Sequence, residues 1–166
     1  MKGVYTLLIG VRRRIDVDVG KLGRFEFEPG EYAYTGSAMG TGAASLEGRI
    51  RRHLGDRARK FWHIDHLLGS GGAKVIGIVY AETDSKAECA VNGAIRRSMG
   101  GWAPVPKFGS SDCLCESHLL RVDGLGPEDF EEGVRGAYSL LGLRPLCLKG
   151  ARLRPTFFRM HRRISL

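Results

Sequence analysis

Apolar residues along the chain follow two periods. The run Val4-Tyr5-Thr6-Leu7-Leu8-Ile9 is continuous and β-rich, whereas Ile15, Val17 and Val19 alternate with Arg14, Asp16 and Asp18, as in a strand with one wet face. Phe25 and Phe27 also alternate with charges, and Pro29-Gly30 turns the chain into a further strand over residues 31–36. This spacing predicts an antiparallel meander in which the second strand pairs with the first. Tyr32 and Tyr34 are two positions apart and so face one side, where one or both can meet Tyr5 across the sheet.

Past a glycine-rich stretch from Met39 to Ala44, the period lengthens to that of a helix. Ser45 is a fitting N-cap for a helix ending near His53 or Leu54, with Leu46, Ile50 and Leu54 as its apolar stripe. Arg49 and His53, one turn apart, lie beside that stripe, where a helix leaves the core and can face a cleft. A second helix is predicted from Trp62 to Leu68, with Phe61, Ile64, Leu67 and Leu68 inward and His63 and His66 on its flank; a strand follows over residues 75–80. A third helix begins at Asp84 or Ser85, buries Ala87, Val91, Ala94 and Ile95, and stops at Gly100-Gly101. Residues 102–116 read as an ordered loop anchored by Trp102, Val105 and Phe108. A short strand over residues 119–122 precedes a helix from Pro127 to Leu141 with Phe130, Val134, Ala137, Tyr138 and Leu141 inward. The fold class is α+β, a small and mainly antiparallel sheet flanked by helices. The 166 residues suit a single domain, closed by a basic extension over about residues 144–166.

A formal net charge of +8 and a pI near 9.6 point to an anionic partner, nucleic acid first, with a solvated basic surface as the alternative. No apolar run approaches the roughly 20 residues of a membrane span, and the N-terminus lacks the zones of a signal peptide, so no membrane association and a cytoplasmic location are expected. Cys89, Cys113, Cys115 and Cys147 contain no Cys-x-x-Cys pair and read as reduced thiols. Asp112, Cys113, Cys115 and His118 offer soft-metal ligands at an unusual spacing; an ordered loop is the competing reading.

The residues that carry chemistry come in a particular order: Gly3-Val4-Tyr5, then Tyr34-Thr35-Gly36, then Arg49 and His53 on one helix, then Glu88 on a later one. Cleaving a phosphodiester requires an activated nucleophile, stabilised charge on the phosphoryl oxygens and help for the leaving alkoxide. Arg49 can hold a phosphate oxygen bidentately. Glu88 is the best carboxylate for one Mg²⁺ or Mn²⁺, although Ser85-Lys86-Ala87-Glu88 is also a capping box. Arg51, Arg52, Arg152, Arg154, Arg162 and Arg163 are candidate phosphate contacts.

This order resembles the GIY-YIG nuclease superfamily. The resemblance implies Tyr5 as general base, Tyr34 as an orienting hydroxyl, Arg49 as phosphate clamp, His53 as proton relay or phosphate ligand, His63 as a further helper and Glu88 as metal ligand. Val4 and Thr35 replace the isoleucines of the family name, and the long separation of the tyrosines reads as an inserted N-terminal hairpin. A closer likeness is to a prokaryotic GIY-YIG-like family with such an insertion. It is carried by residues 29–38, Arg49 to Leu54, Trp62-His63-Ile64-Asp65 and Phe108-Gly109-Ser110-Ser111-Asp112-Cys113. Members of that family also occur fused to an endonuclease III-like DNA glycosylase. The expected function is therefore a metal-dependent endonuclease acting on DNA, structured or damaged, in a repair setting. The alternatives are a non-catalytic nucleic-acid-binding module on the same fold and a small zinc-binding scaffold.

Overall fold

The structure is a computed structural model and describes residues 1–55 and 59–153. Its strands are β1 (Gly3–Val11), β2 (Ile15–Asp18), β3 (Arg24–Phe27), β4 (Gly30–Ala38), β5 (Ala73–Glu82), β6 (Leu119–Val122) and β7 (Leu146–Lys149). Its helices are α1 (Leu46–Leu54), α2 (His63–Leu68), α3 (Glu88–Met99) and α4 (Pro127–Leu140). The fold is α+β. Five strands form one sheet in the order β6-β4-β1-β5-β7, every neighbouring pair antiparallel, and β2 and β3 form a separate hairpin.

The continuous apolar run of β1 is explained by its position, because a central strand covered on both faces has no wet side. Tyr5, Leu7 and Ile9 face a core shared with Leu46 and Ile50 of α1 and Ile64, Leu67 and Leu68 of α2. Val4 and Leu8 face the opposite core, with Val91, Ala94 and Ile95 of α3 and Phe130, Val134, Ala137 and Tyr138 of α4. Two helical layers thus cover one sheet.

The meander is corrected. β2 does not pair with β1; it pairs only with β3, and the chain returns from this hairpin so that β4 lies directly against β1. Val17 and Phe27 point from the hairpin into the α1/α2 core, which is why its strands alternate so cleanly. The third helix starts later than expected, at Glu88. Ser85 is drawn to Thr83 instead of capping, with its Oγ 3.1 Å from Thr83 Oγ1, and Ala87 is the N-cap residue without a side-chain cap. Phe61 is 78% exposed rather than inward, because it precedes the first turn of α2. Leu141 lies past the end of α4 and is 39% exposed. Trp102 anchors the 102–116 loop as expected, although it is exposed: it is held by a backbone bridge to Arg121 and an indole N–H donated to Asp123 at 2.9 Å. The basic end contributes an edge strand that hydropathy did not reveal, since β7 is only Leu-Cys-Leu-Lys beside β5. None of the described helices is long and apolar enough to cross a membrane.

The α3/α4 core holds one buried polar knot. Thr6 Oγ1 lies 3.0 Å from both Thr35 Oγ1 and the Tyr138 hydroxyl, and Tyr138 donates to the Val79 carbonyl at 3.2 Å. It ties α4 to three adjacent strands. Tyr138→Phe should cost about 1–2 kcal/mol, the scale of a buried hydrogen bond lost with its partner left behind. Urea denaturation of the two proteins measures this, and an unchanged midpoint would refute it.

Candidate active site

The site begins with strand register. Tyr5 stands opposite Gly36, and Tyr34 opposite Leu7, so the two tyrosines sit on one face as diagonal neighbours. Tyr34 is therefore the residue that joins Tyr5. Tyr32, opposite Ile9, turns away towards the hairpin, donating to the Glu28 carbonyl at 2.6 Å. The glycine of the second motif has a steric cause: a Cβ on Gly36 would come within 2.7 Å of the Tyr5 hydroxyl. The first tyrosine lies across the strand where the second motif has no side chain.

Helix α1 covers this face. Ser45 caps it, accepting from the Gly48 N–H at 3.1 Å, as its sequence suggests. The Leu46–Ile50 stripe docks on the sheet and carries His53 completely inside. His53 Nε2 is 2.8 Å from the Tyr5 hydroxyl, and its ring is surrounded by those of Tyr5, Tyr34 and Trp62 at 5.4, 6.3 and 6.0 Å between centroids. Arg49, one turn earlier, lies nearer the opening, its guanidinium carbon 4.3 Å from the centroid of Trp62. Arg52 also stacks on Trp62, but it is committed, bridging to Asp65 at 2.8 Å.

Asp65 organises the entry to α2. Its Oδ2 accepts from the N–H groups of Phe61 and Trp62, both at 2.9 Å, and from Arg52. Burial alone would raise the Asp65 carboxyl, but the Trp62 N–H, Arg52 and the Phe61 N–H outweigh it and hold the group below the ordinary carboxylate value. The result is a fixed Trp62 platform. Beside it, His63 Nδ1 accepts from the Gly109 N–H at 2.9 Å, so in the neutral ring the proton is on Nε2. Gly109 has φ of +71°, and a Cβ there would come within 2.7 Å of the Tyr34 ring, so this turn approaches the tyrosine as only glycine can.

These elements enclose a cleft of about 610 Å³, lined by Tyr5, Tyr34, Arg49, Phe61, Trp62, His63, Glu88, Gly109, Asp112 and His118 among others. Tyr5, Tyr34, Arg49, His63 and Glu88 thus meet, and His53 sits behind Tyr5. The capping-box reading of Glu88 is overturned: the residue opens α3, and its Oε2 is buried without a hydrogen-bond partner. Arg51 is on the exposed side of α1 and Arg152 is exposed near the end of the described chain, neither among the residues lining the cleft; Arg154, Arg162 and Arg163 lie outside the described residues. Sequence reasoning assigned no role to Trp62, Asp65 and Gly109. An Asp three places after a Trp at a helix start was the available signal for the first two. It also missed Cys89, whose thiol lies 3.6 Å from His118 Nε2.

Burial sets the protonation of the site. It pushes the Tyr5 hydroxyl well above its ordinary value, with Tyr34 adding and Arg49 opposing. It does the same to Tyr34, with Asp65 adding and Arg49 opposing. Both phenols therefore keep their protons near neutral pH. His63 is shifted down by burial and then by His66, which favours the neutral ring that accepts from Gly109.

Gly36→Ala should push Tyr5 off His53 and destabilise the protein by about 1–3 kcal/mol, the range for overpacking a tight core. Thermal melts and the His53 imidazole resonances report both effects, and unchanged resonances would remove Gly36 as the spacer. A second outcome concerns pH. The folded-state value of His63 lies below its unfolded value of about 6.5, so its contribution to stability is fully present above that unfolded value and is lost as pH falls below it through the lower folded-state value. The melting temperature should drop between pH 7.5 and 5.5, and His63→Gln should flatten part of that drop. Parallel slopes for the two proteins would exclude His63 as a source.

Comparison with curated proteins and with solved structures gives no significant match. A family profile, described as "Domain of unknown function DUF123", matches residues 4–136. That span contains Tyr5, the Tyr34-Thr35-Gly36 motif, α1, α2, Glu88 and the loop that closes the cleft. The chain belongs to the DUF123 family, a GIY-YIG-like family.

Proposed function

We propose that the protein is a metal-dependent endonuclease that hydrolyses DNA phosphodiester bonds. One observation supports this reading above others: a buried Tyr5–His53 pair lies at the foot of a cleft whose walls supply Arg49, Tyr34, His63 and Glu88 from four different elements. A purely structural cluster would have neutralised its cation and its carboxylate against each other. Here Arg49 is held by stacking on Trp62, and Glu88 Oε2 has no hydrogen-bond partner.

Tyr5 holds its proton in the resting site, so it acts as a base only by passing that proton on. His53 Nε2, 2.8 Å away, is placed to receive it as the phenol oxygen takes a proton from the attacking water. The phenol stays neutral throughout, and His53 carries the proton as an imidazolium until it is handed back through Tyr5. Arg49 presents permanent positive charge to the phosphoryl oxygens, and the Trp62 stack limits the rotamers it must lose on binding. Tyr34 and His63, both on the cleft wall, offer O–H and Nε2–H donors to orient water and phosphate.

Glu88 suits a hard divalent cation, because its unpartnered, buried oxygen is the kind of ligand that Mg²⁺ or Mn²⁺ accepts alongside water and substrate phosphate. Bound there, such an ion supplies neutralisation of charge on the phosphate and on the departing oxygen.

The exposed ring of Phe61 stands edge-on to Trp62 at the rim, with centroids 5.5 Å apart, and offers a face on which an unpaired base can stack. That favours structured or damaged DNA over an intact duplex. We place the activity in the cytoplasm, in repair, linked to an endonuclease III-like glycosylase that removes damaged bases and leaves backbone for another enzyme to cut.

Nicked, flapped and branched DNA should be cut in an EDTA-sensitive reaction. Tyr5→Phe should bind as tightly as wild type by fluorescence anisotropy while single-turnover cleavage falls on the order of 10²-fold or more. Glu88→Gln should abolish cleavage with the fold intact. Wild-type protein that binds DNA but never cuts it, across metals and substrates, would favour a binding module on this fold.

A further inference from the structure

Next to the cleft lies a second cluster that the reaction does not use. Cys89 in the first turn of α3, Cys113 and Cys115 in the following loop, and His118 just before β6 bring four ligand atoms within 4.8 Å of one another. We propose that these four residues form a tetrahedral Zn²⁺ site that staples the 102–118 loop to the start of α3. This does not rest on the nuclease reading.

The distances carry the argument. Zinc–sulfur and zinc–nitrogen bonds of about 2.3 and 2.05 Å at tetrahedral angles give a sulfur–nitrogen edge of about 3.5–3.6 Å and a sulfur–sulfur edge of about 3.8 Å. His118 Nε2 lies 3.6 Å from the Cys89 sulfur and 3.5 Å from the Cys113 sulfur. Two edges of the tetrahedron are therefore already at length, and the widest separation, 4.8 Å, needs to close by about 1 Å to reach the zinc geometry.

The loop also needs such a staple. Between Ser111 and Glu116 no residue is buried, and Leu114 is fully exposed. Cys113 and Cys115, on either side of Leu114, are the half-buried positions, so the segment turns thiols rather than apolar side chains towards the protein. Its backbone is nonetheless tightly placed. His118 donates to the Phe108 carbonyl at 2.8 Å and accepts from the Thr35 N–H at 3.0 Å, and Lys107 Nζ reaches the carbonyls of Cys113 and Cys115 at 3.3 Å. The ligand backbone is thus anchored to β4, which orients a buried imidazole with its Nε2 towards the sulfurs. Cys89 is exposed, which leaves a path for the ion. Binding replaces three thiol protons with one cation, and the protons are released to solvent.

Purified full-length protein should hold about one zinc per chain by elemental analysis. Cys89→Ser and Cys113→Ser should lose it, and Cys147→Ser, on the opposite edge strand, should keep it. Where a variant fails to fold, Co²⁺ exchanged into wild type decides: the proposal requires tetrahedral d–d bands and a thiolate charge-transfer band with the intensity of three sulfur ligands. Absence of metal together with absence of those cobalt bands overturns it. So does full zinc retention in the Cys113→Ser/Cys115→Ser protein, or a disulfide between any two of the three cysteines by mass spectrometry.

Discussion

The pairing of β1 with β4 is the constraint on which the site depends. With Tyr5 opposite Gly36, the Tyr5 ring occupies the space a side chain would take, and Tyr34 falls beside it on the same face. A slip of one residue would send Tyr34 to the α3/α4 core and place Thr35 against Tyr5. The register is held from the other side by Thr6, Thr35 and Tyr138, whose fully buried hydroxyls partner one another. The polar knot in one core thus keeps the tyrosines aligned in the other.

Around that sheet, the site is assembled by buried polar groups that are satisfied and a few in the cleft that are not. Asp65 uses its charge structurally, gathering two backbone N–H groups and Arg52, and so fixes Trp62. Trp62 then supports Arg49 without cancelling its charge, as a carboxylate partner would. The contrast between neighbouring arginines is informative: Arg52 serves the scaffold, and Arg49 faces the cleft. Glu88, opening α3 with one oxygen unpartnered, stands across from it as the complementary charge.

The loop between α3 and β6 closes the cleft from above, through Gly109 against Tyr34 and His63, and through His118. Its conformation owes little to apolar burial beyond Val105 and Phe108. Backbone hydrogen bonds and the Cys/His cluster hold it instead, and one member of that cluster, Cys89, is the residue after Glu88. The geometry of the cleft and the integrity of the loop are accordingly one problem.

Much of this was legible along the chain, for reasons that are local. Period-two and helical patterns marked the strands and helices because one-sided burial leaves that trace; Ser45 marked the start of α1, and the order of Tyr5, Tyr34, Arg49, His53 and Glu88 marked the chemistry. What remained hidden depended on distance in space. β7 is a four-residue edge strand with no periodicity to read, and the β2–β3 hairpin pairs with itself because its buried face is needed by α2 rather than by β1. Ser85 could cap α3 equally well on paper, and the nearby Thr83 hydroxyl decided otherwise. Cys89 and His118 are 29 positions apart, so no spacing rule joins them. The sequence by itself determined which residue types were present and which faces they took; only the tertiary structure brought them within bonding distance, because that depends on strand order and loop path, which local patterns do not encode.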